Sequence, residues 1–172
     1  MGKTTVIRAV ARLLGDRAGG FYTEELREEG RRTGFRLVAF GGGPVRTGML
    51  ASVNTSSRYR VGKYGVHIRD LEHVGVEALR KAVREPGVTV VIVDEIGKME
   101  LFSTSFRDAV ESALASPKRV VATVMTGSQP WVDAIKARAG VTLVEVTKFN
   151  RDKMPARALT WLSSTQEERK PA

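Results

Sequence analysis

The sequence contains no cysteine, no long apolar run and few acidic residues. The absence of cysteine from 172 residues excludes a disulfide framework and Cys-based zinc sites. The longest apolar run, residues 88–93, is much shorter than the roughly 20 residues that a transmembrane helix needs. No signal-peptide pattern precedes the first predicted helix. We therefore expect a cytoplasmic protein with no membrane partner.

The deficit of acidic residues leaves a strongly basic chain. It has 19 acidic against 28 basic residues, a formal net charge of +9. This balance favours anionic partners such as nucleotides, nucleic acids or acidic proteins. The basic residues are dispersed instead of forming one tail, so a merely solvated basic surface is the simpler interpretation. The length predicts a single domain over residues 1–162, followed by a polar tail over residues 163–172.

The chain begins with the second half of a phosphate-binding motif, Gly2-Lys3-Thr4-Thr5. In the full P-loop motif, backbone N–H groups surround the β-phosphate, the Lys reaches the β and γ oxygens, and the Ser/Thr hydroxyl binds Mg²⁺. A Gly-Lys-Thr triplet alone is weak evidence for a phosphate site. However, apolar residues recur at helical spacing over residues 6–14, so a helix is predicted to begin at the phosphate site. We predict that Lys3 binds phosphate and that Thr4 holds Mg²⁺.

Several β-branched runs with little alternation are typical of strands buried on both faces, and apolar stripes at helical spacing lie between them. The strand candidates are residues 88–93, 119–125 and 141–147, and the helix candidates are residues 106–114, 131–138 and 152–162. Ser103 or Ser105 is the expected N-cap of the first of these helices. A turn at residues 29–32 predicts an antiparallel hairpin. The pattern predicts an α/β fold, with a mostly parallel sheet, helices on both faces and that hairpin.

An acidic pair, Asp94-Glu95, follows the strand predicted at residues 88–93. Parallel α/β sheets bind ligands at the carboxyl ends of their strands. We predict that Asp94 holds Mg²⁺, directly or through water, and that Glu95 accepts a proton from the attacking water. The alternative is an acidic pair that caps a strand end in solvent.

Phosphoryl transfer also needs positive charge near the γ-phosphate. Lys98 is our first candidate because it lies three residues after Glu95, and the other candidates are Arg151, Arg60 and Lys63. Each of these alone is also compatible with an ordinary surface cation. The segment 147–152 is interpreted as a loop near the nucleotide, and capping of the last helix by Asn150 explains it equally well.

Five stretches, in chain order, resemble the blocks of a small nucleoside-triphosphatase family of thermophilic bacteria and archaea, whose animal member is called cancer-related nucleoside-triphosphatase. These stretches are residues 20–25, 31–35, 61–66, 93–103 and 146–152. The resemblance covers nearly the whole chain. Its most specific block is Asp94-Glu95-Ile96-Gly97-Lys98-Met99-Glu100.

The resemblance implies a RecA-like P-loop fold and Mg²⁺-dependent hydrolysis of ATP, GTP and other nucleoside triphosphates to the diphosphate, with loose base preference. Gly2, Lys3 and Thr4 match the end of the family's P-loop, and Thr5 follows them. The second nucleotide-binding block is matched by Val93, Asp94, Glu95, Ile96, Gly97, Lys98, Met99 and Glu100.

One departure from the family's pattern concerns the start of the chain. Family members begin with a strand and then Gly-x-x-Gly-x-Gly-Lys-Thr, whereas this chain enters that motif at Gly2. We expect the absent strand to belong beside the one that ends at Asp94, and its loss to weaken NTP binding. Our hypothesis is that a GTG valine codon has been read as the initiator Met1. Reading the gene upstream in the same frame tests it.

Two other functions remain open. A nucleoside or nucleotide kinase uses the same phosphate cradle, but no acceptor lid is evident. An NTP-switched nucleic-acid-binding or regulatory module would suit the charge of +9, although no RRM-like or helix-turn-helix signature is visible. The sequence does not fix the oligomeric state, and a monomer is slightly favoured.

Overall fold

The computed structural model describes residues 2–164. Seven strands in this part of the chain form one sheet in the order β4-β5-β3-β2-β1-β6-β7. The strands are β1 (Ala18–Glu28), β2 (Arg31–Phe40), β3 (Arg46–Ser52), β4 (Arg60–Val61), β5 (Tyr64–Val66), β6 (Val90–Ile96) and β7 (Arg119–Val124).

Helices precede, connect and follow the strands, and they cover both faces of the sheet. They are α1 (Lys3–Leu14), α2 (Ile68–Asp70), α3 (Glu77–Arg84), α4 (Thr104–Ala115), α5 (Pro130–Lys136) and α6 (Met154–Ser163). Short 3-10 helices occupy Gly15–Arg17 and Glu100–Phe102, and a π-helical segment occupies Leu71–Val76. The hydroxyl of Ser103 accepts a hydrogen bond from the N–H of Phe106, which confirms Ser103 as the N-cap of α4.

The α/β class and the antiparallel hairpin are confirmed, but the sheet is mixed and not mostly parallel. Strand β6 pairs in parallel with β1 and β7, whereas the other four pairings are antiparallel. The reason is connection length. Parallel neighbours need a crossover connection of a dozen or more residues. Each turn between successive strands from β1 to β5 is shorter than that.

Two further expectations about the sheet are wrong. Residues 141–147 form no strand, so the edge of β7 away from β6 has no strand partner within residues 2–164. The absent first strand is expected beside the strand that carries Asp94. That strand, β6, pairs with β1 on one side and with β7 on the other, which leaves no position beside it for another strand. A β-branched apolar run cannot reveal either fact, because it indicates that a segment is buried and not whether it finds a neighbouring strand.

The core consists of two apolar clusters, one on each face of the sheet. Val91 and Val93 of β6 belong to the larger cluster, which also contains residues of α3 and α4. Val90 and Ile92 belong to the smaller cluster with residues of α1 and α6. This alternation of faces along β6 is the two-residue period of a strand. Helix α1 thus packs directly on β6, and their contact positions the site described below.

The described residues leave out Met1 and the residues after Ser164. No helix within residues 2–164 is long and apolar enough to cross a membrane. Ser163 ends α6, and from residue 165 onward the expected polar tail lies outside the described residues. The single domain over residues 1–162 stays a prediction.

Candidate active site

The start of α1 and the end of β6 meet through one ion pair. The Lys3 ammonium donates hydrogen bonds to Glu95 Oε1 at 2.6 Å and to the carbonyl oxygen of Val124 at 2.9 Å. The side chains of Lys3 and Glu95 are 33 and 34% exposed, so the pair is open to a ligand from solvent. The structure therefore brings the predicted phosphate-binding Lys to the predicted general base.

Asp94 is fully buried and is held by three hydrogen bonds. The N–H and hydroxyl of Thr23 donate to Oδ2 at 3.3 and 3.2 Å, and the Thr123 hydroxyl donates to Oδ1 at 2.7 Å. Thr23 lies on β1 and Thr123 on β7, the two neighbours of β6. These hydrogen bonds fix the position of the Asp94 carboxylate. Sequence analysis missed both threonines, because their roles depend on which strands flank β6.

Asp94 and Glu95 lie inside β6 and not after it, because the strand extends to Ile96 instead of ending at Val93. Asp94 is buried, whereas Glu95 is partly exposed beside Lys3. The pairing of β6 with β7 shifts register between Val93 and Ile96, so the two carboxylates do not follow the regular alternation of the rest of the strand.

A third carboxyl group, that of Glu100, is 4% exposed behind the acidic pair. Burial, together with the charges of Glu95 and Asp94, raises the pKa of Glu100 to about 8, although backbone hydrogen bonds at Glu100 and Gly97 act in the opposite direction. A Cβ atom at Gly97 would lie 3.1 Å from Glu100 Oε2 and 3.4 Å from Glu95 Cγ. Gly97 thus leaves the space in which these two carboxyl side chains approach each other.

The other predicted site residues differ in their access to a ligand. In the first turn of α1, Thr4 is half-buried and Thr5 is exposed. Lys98 is exposed in the turn after β6, where a ligand can reach it.

Three apolar residues of the second block pack in or against the core of the protein. Val93 and Ile96 are buried in the larger apolar cluster, and Met99 packs against it. Of the polar side chains of the block, Glu95 and Lys98 are open to solvent, whereas Asp94 and Glu100 are buried.

Among the candidate cations, Arg151 lies against the P-loop residue Gly2. A Cβ atom at Gly2 would be only 2.5 Å from Arg151 Cδ and 3.1 Å from its Cγ. Gly2 has φ +107°, a conformation that glycine adopts readily. Arg60 and Lys63 lie at or beside β4, and four strands separate β4 from β6 in the sheet. Arg151 is therefore the candidate that the fold brings to the start of α1.

Arg151 belongs to a turn that is closed by its own side chains. Asn150 Oδ1 accepts a hydrogen bond from the N–H of Thr147 at 2.8 Å, and its Nδ2 donates to the carbonyl oxygen of Glu145 at 2.8 Å. Helix α6 begins at Met154, and its N-cap residue Lys153 makes no side-chain cap. The alternative role of Asn150 as the cap of that helix is therefore wrong.

Two shallow cavities lie away from this cluster. One, of about 220 Å³, is lined by Thr89, Val90 and Arg119 at the opposite ends of β6 and β7. The other, of about 170 Å³, lies beside Phe40 and Lys81. The residues that mark the site at Lys3 and Glu95 are therefore joined by polar contacts and line neither of these cavities.

The residue types at the start of α1 and in β6 suit a magnesium ion that is bound together with a nucleotide. Within residues 2–164, no group of three or more His, Cys, Asp or Glu side chains is arranged to hold a metal on its own. Mg²⁺ in phosphate sites is instead bound by one or two carboxylates together with substrate phosphates. Asp94 provides a carboxylate whose position is fixed by two threonines, and Thr4 provides a hydroxyl.

A lysine in the first turn of a helix, paired with a carboxylate near the carboxyl end of a parallel strand, is typical of P-loop nucleotide-binding proteins of the α/β class. Comparison with known proteins gives the family. The sequence profile described as NTPase matches residues 1–159. The chain belongs to this NTPase family.

Similar proteins match along almost their whole length. Nucleoside-triphosphatase THEP1 of Thermotoga petrophila is 48% identical over 154 residues, covering 90% of this chain and 83% of that protein. The cancer-related nucleoside-triphosphatase homolog of Bos taurus is 35% identical, covering 97% and 94%.

Two solved structures share the fold. The crystal structure of THEP1 from Aquifex aeolicus has a TM-score of 0.82 at 37% identity, over 95% of this chain and 94% of that one. The solution structure of a human cancer-related nucleoside triphosphatase has a TM-score of 0.78 at 35% identity, over 99% and 94%. The likeness confirms the resemblance and the RecA-like P-loop fold inferred from the sequence.

Proposed function

We propose that this chain hydrolyses nucleoside triphosphates to the diphosphate and phosphate, with Mg²⁺, at the contact between α1 and β6. The observation that carries the proposal is the 2.6 Å contact between Lys3 and Glu95, two residues that lie 92 positions apart. The relatives named nucleoside-triphosphatase support the same reaction. ATP, GTP and other nucleoside triphosphates are the proposed substrates.

The ion pair suggests how substrate prepares the base. In the structure, Lys3 is bound to Glu95. A triphosphate offers Lys3 a stronger anionic partner, because the P-loop lysine binds the β and γ oxygens. Transfer of the ammonium to phosphate releases the Glu95 carboxylate. Glu95 then orients a water molecule and accepts its proton as the oxygen attacks the γ-phosphorus, and the bond to the β-phosphate oxygen breaks with its electrons leaving on the diphosphate.

Positive charge around the phosphates comes from several sources in this proposal. When bound, Mg²⁺ neutralises charge on the β and γ oxygens, with Thr4 and Asp94 as the residues that would hold it. Arg151, which contacts Gly2, and Lys98 provide the cations of the protein. The backbone N–H groups of Gly2, Lys3, Thr4 and Thr5 at the start of α1 favour an anion at this position.

The residues of the second block fall into two groups. Glu95 and Lys98 are open to the triphosphate, whereas Asp94, the proposed magnesium ligand, and Glu100 are buried.

The direct test is phosphate release from ATP, GTP, CTP and UTP without an acceptor, in Mg²⁺ and in EDTA. We expect release from all four nucleotides in Mg²⁺ and none in EDTA. Release that requires a nucleoside would instead identify a kinase. Strong stimulation by RNA or DNA, with binding that falls steeply as salt rises, would identify the nucleic-acid-dependent alternative.

A further inference from the structure

The side chain of Phe149 is 96% exposed, far more than that of any other large apolar residue described as exposed within residues 2–164. Phe102, for comparison, is 40% exposed, and its ring packs 5.3 Å from that of Tyr59. The phenyl ring of Phe149 is solvated instead of being buried in the described part of the chain, so it is available to a ligand.

The backbone that carries this ring is held in place. The hydroxyl of Thr147 accepts hydrogen bonds from the N–H groups of Phe149 and Asn150 at 3.3 Å each. The carbonyl oxygen of Thr147 accepts a further bond from the N–H of Arg151 at 3.1 Å. These contacts fix the turn before any ligand is bound, so little conformational entropy would be lost when a ligand packs on the ring.

The turn also lies beside the proposed phosphate site. Arg151, two residues after Phe149, packs its side chain on Gly2 at the start of α1. Two residues of chain span at most about 7 Å, so the backbone of Phe149 is close to this contact. The segment that holds Phe149 therefore lies on the side of the proposed phosphate site where the ribose and base of a bound triphosphate could extend.

We propose that Phe149 is the residue on which the base of the bound nucleoside triphosphate stacks. This inference rests on the proposed function and identifies its base-binding element. A phenyl face has no hydrogen-bonding group with which to distinguish one base from another, whereas every base has a π-face. Phe149 therefore contributes affinity for all nucleoside triphosphates, and more for purines because their faces are larger.

The test compares ligands with and without a base. Binding of ATP, GTP, CTP, UTP and inorganic tripolyphosphate is measured by titration calorimetry for the wild type and for Phe149→Ala, Phe149→Trp and Leu143→Ala. Leu143 is a matched control because it is 55% exposed on the neighbouring segment. We expect Phe149→Ala to weaken binding of the nucleotides by about 5- to 150-fold and to leave tripolyphosphate binding unchanged. Phe149→Trp should preserve nucleotide affinity.

Three results would overturn the inference. The first is unchanged nucleotide affinity in Phe149→Ala. The second is a loss of tripolyphosphate affinity as large as that of the nucleotides, which would indicate a structural role. In both cases the proposed function stands, provided that the wild type releases phosphate. A wild type that binds neither the nucleotides nor tripolyphosphate would overturn the proposed function together with the inference.

Discussion

The ammonium of Lys3 lies 2.6 Å from a carboxylate oxygen of Glu95 and also donates to the carbonyl of Val124 on the next strand. One side chain thus joins the first helix to two parallel strands at their carboxyl ends. The pair is about one-third exposed, and exposed ion pairs contribute only about 0–1 kcal/mol to stability. Its main consequence is therefore the relative position of two reactive groups, which the first two predictions test.

Replacement of Glu95 by Gln should suppress turnover and spare binding. The amide keeps the shape of the side chain but cannot accept the proton of water, so we expect kcat to fall by roughly 10²- to 10⁴-fold. Nucleotide affinity should stay equal or rise, because Lys3 no longer has a charged partner on β6. Phosphate release and nucleotide titration measure the two effects. The control is Glu28→Gln on the exposed end of β1, and undiminished kcat in Glu95→Gln would exclude Glu95 as the base.

Replacement of Lys3 by Ala should weaken binding as well as turnover. Loss of a charged hydrogen bond to phosphate corresponds to roughly ten- to hundredfold weaker nucleotide binding. The free energy of unfolding should change by less than about 1 kcal/mol, since the pair with Glu95 is partly solvated. Nucleotide titration and urea denaturation separate the two quantities. Lys63→Ala is the control, and equal affinity of both variants would contradict the role of Lys3.

Replacement of Thr123 by Val should release Asp94 from its shortest hydrogen bond, 2.7 Å long. Because Thr123 is 8% exposed, the loss leaves a buried carboxylate oxygen less satisfied, at about 1.5–3 kcal/mol of unfolding free energy. We also expect a higher Mg²⁺ concentration at half-maximal activity. Thr123→Ser keeps the hydroxyl and should behave like the wild type. Equal stability of the Val and Ser variants in urea would contradict this account.

The buried Glu100 should make stability depend on pH. Its pKa rises from 4.5 to about 8 on folding, mainly through burial, so the native state binds the proton more tightly than the unfolded state does. Its contribution to stability is therefore complete below pH 4.5 and is lost as pH rises towards 8. The effect is roughly 1.4 kcal/mol for each pKa unit. Glu100→Gln should thus gain in Tm relative to the wild type between pH 5 and 8, and parallel Tm curves would refute the assignment.

Replacement of Gly2 by Ala should displace Arg151. The added Cβ would be 2.5 Å from Arg151 Cδ, at a backbone φ of +107° that disfavours alanine. We expect reduced kcat, and little further loss when Arg151→Ala is added, because residues in contact act together. Gly62→Ala is the control, since its φ of +57° is also positive but no atom lies within 4 Å of the added Cβ. Fully additive losses in the double variant would contradict a shared effect.

Local patterns predicted the elements well and their neighbours poorly. Helix α1 and the cap at Ser103 were predictable because each depends on residues adjacent in the chain. The pairing of Asp94 with Thr23 and Thr123 was not, since it requires knowing that β1 and β7 flank β6. Sequence spacing favoured Lys98 as the cation, whereas the fold brings Arg151 to Gly2.

The sequence by itself determined the chemical groups and the family: a lysine and a threonine at a helix start, and an acidic pair after an apolar run. These are local features, because backbone propensity and the spacing of apolar residues act over a few turns or one strand. Only the tertiary structure decided that Lys3 meets Glu95, that Glu100 is buried and that the turn of Phe149 lies beside Gly2. Such contacts join distant parts of the chain, and packing of the whole sheet selects them.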